Sequence, residues 1–181
     1  MAETKTEDAP KAKRQTAKQV EKTVRDYFAA GGRRDLDAMF EYYHPNVVLD
    51  LVPVGVFRGA GEYRSFFEDV FRAMPDWEFT VTRVTATGKV GVVEWRMSGT
   101  FSGGPFQGIE PNGRRIQLRG CDCLEVEDGK IVKNTAYYDG MEFARSVGMM
   151  PAQDSGAERA MKQAFNAVTK VRKAVQERGG R

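Results

Sequence analysis

The sequence predicts an α+β fold in which a curved antiparallel sheet wraps around N-terminal helices, forming a cone with an apolar pocket. Three observations predict it. Three helical stripes of apolar residues fall between Val20 and Phe71, strand-like alternation occupies residues 77–138, and turns divide the alternating part into four runs. Helices first and strands after give a sheet with one face covered, and the space between sheet and helices suits a ligand pocket.

The elements follow in order. Val20, Val24, Tyr27 and Phe28 form the stripe of a first helix that ends at Gly31-Gly32. Leu36, Met39, Phe40 and Tyr43 mark a second short helix, stopped by His44-Pro45. "NVVLDLVPV" is a short strand, and residues 59–74 form a third helix carrying Tyr63, Phe66, Phe67, Val70 and Phe71 before Pro75. Two strands follow, joined at Thr87-Gly88-Lys89, then two more joined at Asp128-Gly129. Asp139 with Glu142 has the form of a helix cap opening residues 140–147. Residues 1–15 are polar and aperiodic, which predicts a disordered tail before a domain over 16–151. In residues 152–181, Met161, Ala164, Phe165, Val168, Val171 and Val175 mark a basic amphipathic helix, expected to pack on the domain or on a sister subunit.

Charge and composition narrow the classes. The net charge of +3 resides in the ends: residues 1–22 carry six Lys/Arg against four Asp/Glu, and residues 156–181 carry seven against two. The body between them is acidic, so nucleic-acid binding is not expected of it. The start lacks an apolar signal region, no stretch is long enough to span a membrane, and two cysteines make no disulfide framework. A cytoplasmic location is the expectation.

Strand parity locates the candidate chemistry. In "RGCDCLEVEDGKI", one row runs Ile116, Leu118, Gly120, Asp122, Leu124 and Val126, and the other holds Cys121 and Cys123. Asp122 thus stands in the apolar row, where a carboxylate must be paired, hydrogen-bonded or protonated, the setting that raises an Asp pKa toward acid–base use. A structural Asp satisfied by its surroundings is the alternative. The cysteines face outward, with His44 the sole histidine, too few ligands of the right kind for zinc. The neighbouring strand turns Trp95, Met97 and Phe101 to one side as pocket wall; Phe67, Leu124 and Trp77 complete the expected lining. Tyr27 either points its hydroxyl into the same cavity or packs in the core. Asp50, at a strand end, is a possible second carboxylate, with its row undecided between Val48/Val52 and Leu49/Leu51.

The stretches "MPDWEFTVTRV" and "SGTFSGGPFQGIEPNGRRIQLRGCDCLEVEDGKIVKNTAYYDGMEFARSVGMMP" resemble the SnoaL-like polyketide cyclases. That family belongs to the nuclear transport factor 2-like superfamily, which also holds ketosteroid isomerase. The resemblance covers residues 19–151 and rests most on Pro75-Asp76-Trp77, Pro111-Asn112-Gly113-Arg114, Asp139 and the closing "VGMMP". It implies an α+β cone with a deep apolar pocket, often dimeric, and ring closure by aldol condensation without metal or cofactor. The family's catalytic Asp falls on Asp122; in the isomerase branch the proton-donating Asp falls there too, and the oxyanion Tyr near Tyr27. Two positions depart. The isomerase base falls on Leu51, and Phe101 in "GTFSG" stands where the cyclases often carry His.

The expected function is a cofactor-independent acid–base enzyme, cyclase or isomerase, acting on a small hydrophobic carbonyl compound, in a homodimer. The alternative is a non-catalytic module of the same fold that binds a small hydrophobic ligand or another subunit.

Overall fold

The computed structural model describes residues 16–179. The tail expected over 1–15 lies outside the described residues. Helix α1 (Ala17–Gly32) starts three residues before its apolar stripe because Thr16 and Gln19 cap it reciprocally. Helix α2 (Leu36–Phe40) is shorter than expected. Tyr43 does not belong to it but opens strand β1 (Tyr43–Leu51), because it pairs with Ile131. Strand β2 (Gly55–Arg58) folds back on β1 as a hairpin that the sequence reading missed. Helix α3 (Ala60–Ala73), strands β3 (Glu78–Thr87), β4 (Val90–Thr100), β5 (Arg115–Glu127) and β6 (Lys130–Tyr138), and helix α4 (Gly140–Ser146) follow as read. Asp139 caps α4 by accepting from the Met141 and Glu142 amides.

The sheet runs β2-β1-β6-β5-β4-β3. It is mixed rather than wholly antiparallel, because β1 lies parallel to β6 while every other pair is antiparallel. Inserting β1 between β2 and β6 extends the sheet over α3, while α1 covers β3 and β4. Alternation along each strand sends one row inward: Val47, Leu49 and Leu51 from β1; Val93, Trp95 and Met97 from β4; Ile116, Asp122, Leu124 and Val126 from β5. Gly91 lets α1 approach, since a Cβ there would stand 2.7 Å from Val24 Cγ2.

The long helix α5 (Gly156–Gly179) is hitched to the body through its first turn. Glu158 is buried, accepting from Arg145 Nη2 at 2.8 Å and from the Asp154 amide at 2.9 Å. These donors hold its carboxyl down to about 2, the Asp154 amide first, then Lys162 and Arg145. The carboxylate's contribution is present above its ordinary range and is lost as pH falls toward about 2. Glu158→Ala is expected to speed amide exchange in the first turns of α5 while β4 and β5 keep their protection. Equal protection in both proteins would show that the hitch lies elsewhere.

Candidate active site

Between the concave face of the sheet and α1 and α3 lies a cavity of about 110 Å³, walled by Phe66, Phe67, Met74, Phe79, Met97, Phe106, Leu118 and Phe143 among others. Its polar atoms come from Asp122, Tyr27, Tyr63, Tyr138 and the indoles of Trp77 and Trp95. Asp122 is 4% exposed and opposes Val93 on β4 and Ala136 on β6. Its Oδ1 accepts from Trp95 Nε1 at 2.7 Å, and its Oδ2 from Asn134 Nδ2 at 2.7 Å. Burial pushes its carboxyl up to about 6, against the two N–H donors, of which Asn134 is the stronger, that favour the anion. At neutral pH the group is therefore mostly ionised, yet far more basic than an exposed Asp.

Trp95 reaches Asp122 because its cross-strand partner is Gly120. A Cβ on Gly120 would lie 2.3 Å from Trp95 Cζ2 and 2.5 Å from the Tyr137 carbonyl oxygen, so the indole occupies the room a side chain would fill.

A tyrosine cluster lies beside the carboxylate. Tyr27 from α1, Tyr43 from β1 and Tyr63 from α3 are all buried, and the Tyr27 and Tyr43 hydroxyls share a hydrogen bond. Desolvation raises all three phenols above the ordinary value, and the nearby charge of Asp122 adds to it. They stay protonated as donors throughout the physiological range. Tyr27 and Tyr63 line the cavity, whereas Tyr43 stands behind them.

Of the residues read from sequence, Asp122, Tyr27, Trp95, Met97, Phe67 and Trp77 meet at this cavity. Asp50 does not: it lies in the outward row of β1, opposite Val56 and Thr135, and Leu51 takes the wall position. Phe101 is also elsewhere. It follows the end of β4, its carbonyl accepts the Asn112 and Gly113 amides, and its side chain is buried in the core. Leu124 shares the row of Asp122 but sits two residues further into the core, against Gly91 and Asn134. Tyr43, Tyr63 and Asn134 were missed. The signal for the tyrosines was a hydroxyl on an apolar stripe, the one used for Tyr27; Asn134 required the β5–β6 register.

The Pro75-Asp76-Trp77 motif has a local explanation. Asp76 Oδ2 accepts from the Thr100 hydroxyl at 2.7 Å, which fixes the entry to β3 and sets Trp77 on the cavity wall. Both cysteines are free and half-buried on the outer row, and burial pushes the Cys121 thiol up. No group of three or more His, Cys, Asp or Glu side chains gathers among the described residues. None of the described helices is long and apolar enough to cross a membrane.

Comparisons with known proteins agree with this fold. A candidate SnoaL-like polyketide cyclase from Jannaschia sp. CCS1 superposes with a TM-score of 0.68 at 21% identity, covering 81% of this chain and 99% of its own. AclR, a candidate hydroxylase from Streptomyces galilaeus, gives 0.67 at 20% identity, covering 75% of this chain and 100% of its own. A candidate ketosteroid isomerase from Kribbella flavida gives 0.54 at 22% identity, covering 68% and 79%. A search of curated proteins gives no match. The family model described as a SnoaL-like domain matches residues 24–134, the span that holds the tyrosine cluster, Asp122 and Asn134, and the chain belongs to that family, within the nuclear transport factor 2-like superfamily.

Proposed function

We propose that the chain is a cofactor-independent acid–base enzyme acting on a small hydrophobic carbonyl compound, as a cyclase or isomerase. The observation that carries this is a buried carboxylate with its pKa raised to about 6, facing an apolar cavity beside protonated tyrosines. An ionised Asp122 takes the proton from the carbon α to the carbonyl. The C–H electrons move into the new C=C bond, and the carbonyl π electrons move onto oxygen. Tyr27, with Tyr43 behind it, donates a hydrogen bond to that enolate oxygen. The enolate oxygen's electrons then return: in isomerisation a conjugated dienolate takes the proton from Asp122 at its γ-carbon, and in ring closure the α-carbon attacks a second carbonyl of the same molecule, whose oxygen takes the π electrons and then the proton from Asp122. The cavity walls exclude water and leave the substrate few polar contacts, so a hydrophobic substrate fits.

Proton abstraction can be tested without the natural substrate. In deuterated buffer, 2-tetralone is expected to exchange its α-protons faster with the protein present, and the enzymatic rate is expected to rise with pH through about 6. A rate that stays at the buffer background, with the ketone bound, would instead establish the second reading, a non-catalytic pocket. Two observations favour that reading: Leu51 fills the wall position where the isomerase branch has its base, and both Asp122 oxygens already hold N–H donors. A homodimer is the assembly proposed for the chain.

A further inference from the structure

We propose that the exposed face of α5 is a helix-pairing surface whose partner is α5 of a second copy. The proposal rests on the homodimer proposed above and assigns its contact surface. Met161, Ala164, Val168, Val171 and Val175 recur at intervals of three, four, three and four, the spacing of a coiled-coil seam. The seam is open to solvent: Val168 is 52% exposed, and Val171 and Val175 are each 63% exposed. Phe165 beside it is 71% exposed.

Several features select another α5 as the occupant. Ala160, Ala167 and Ala174 repeat every seven residues along one flank, so two such helices approach closely without bulky or charged side chains between them. Arg159, Lys162, Lys170 and Lys173 fall on the opposite side of the helix, so between residues 160 and 175 two copies meet without juxtaposing like charges, apart from Arg172 on the Phe165 flank. An interfacial membrane helix presents Trp, Phe and Leu, whereas this face offers valine, alanine and Met161 with a single Phe.

The body does not cover this face either. Beyond Glu158 and Thr169, the α5 side chains described through residue 177 are exposed. Most helical stability in proteins comes from packing an amphipathic face, and pairing supplies that burial for α5. The extension also lies after the family match, which ends at residue 134, and AclR is covered in full by 75% of this chain. Pairing through α5 thus adds an interface to the shared fold without touching the cavity.

Sedimentation equilibrium on the full chain tests this. The wild type is expected at twice the chain mass of 20.3 kDa, and Val168→Glu/Val171→Glu at the single-chain mass. Mixing that variant with Val168→Lys/Val171→Lys is expected to restore the two-chain species. The α-proton exchange at the cavity is expected to persist in all of them, so failure here is distinguishable from failure of the Asp122 reading. A two-chain Glu variant would keep the homodimer and overturn the surface; a single-chain wild type would overturn both. A single-chain wild type that also floats with phosphatidylglycerol–phosphatidylcholine vesicles would move the face to a lipid partner.

Discussion

Asp122→Asn is expected to slow α-proton exchange by about a hundredfold to ten-thousandfold, the range that a positioned acid–base group supplies. The substitution keeps the shape of the side chain but removes the basic oxygen, and it leaves the cavity walls in place. Its effect on stability has the opposite sign. Between the ordinary Asp value of 3.8 and about 6, the native state holds a proton that the unfolded chain has released. Stability therefore falls as pH rises through that window: the benefit of neutral Asp122 is complete below about 3.8 and gone above about 6. At about 1.4 kcal/mol per pH unit, ionising the buried group costs on the order of 3 kcal/mol by neutral pH. The Asn variant lacks this titration, so its stability is expected to be flat from pH 4 to 6 relative to wild type. It is also expected to be no less stable at pH 7. Urea denaturation at several pH values reads the second effect and exchange of 2-tetralone the first. Unchanged exchange would remove Asp122 from the mechanism. Exchange lost together with native near-UV circular dichroism would make the residue structural.

Gly120→Ala is expected to damage the site from behind. The new Cβ meets the Trp95 ring on one side and the Tyr137 carbonyl on the other, and the carbonyl belongs to the paired strand β6. Overpacking of this kind costs about 1–3 kcal/mol. The indole is the part that yields, so the Trp95 Nε1 bond to Asp122 is expected to break. Losing a donor to the anion leaves desolvation less opposed, and the Asp122 pKa is expected to rise beyond about 6. The pH dependence of exchange should then shift to higher pH, which a purely structural loss would not produce. Gly61→Ala is the control: it lies in α3 with nothing within 4 Å of the added methyl group, and is expected to be neutral or mildly stabilising. Equal pH profiles in Gly120→Ala and wild type would show that Trp95 does not tune the carboxylate.

How far the sequence could be read depended on how one-sided each element is. Strand β5 alternates cleanly, with charged or polar residues outside and apolar ones inside, so parity alone placed Asp122 inward and the cysteines outward. Strand β1 gives no such contrast. Val48, Leu49, Leu51 and Val52 put apolar side chains on both rows, which left Asp50 undecided until pairing with β2 and β6 fixed its face. The four-residue β2 was hidden because the strand read over 46–54 ran through Pro53, past the end of β1 at Leu51, and left Gly55–Arg58 too short to show alternation. Phe101 continued the parity of β4 beyond Thr100, where the strand ends and parity no longer applies. Tyr43 and Tyr63 arrive from elements distant in sequence, and local periodicity carries no record of which stripes face each other.

The parallel pairing of β1 with β6 also bears on the order in which the site comes into being. Leu49 meets Asn134, and Leu51 meets Ala136, across most of the domain's length, with helix α3 and four strands between them. Closing so long a loop is entropically costly, and a fold that depends on it is slow relative to one built from local hairpins. The hairpins β3–β4 and β5–β6 close through short turns, so Trp95, Asp122 and Asn134 are available to one another early. Tyr43 is carried by β1 itself and joins them only when β1 docks, whereas Tyr27 comes with α1, which packs on β3 and β4. During synthesis this docking waits until β6 has left the ribosome, so the Tyr27–Tyr43 hydrogen bond behind the cavity is completed only when the last strand is present.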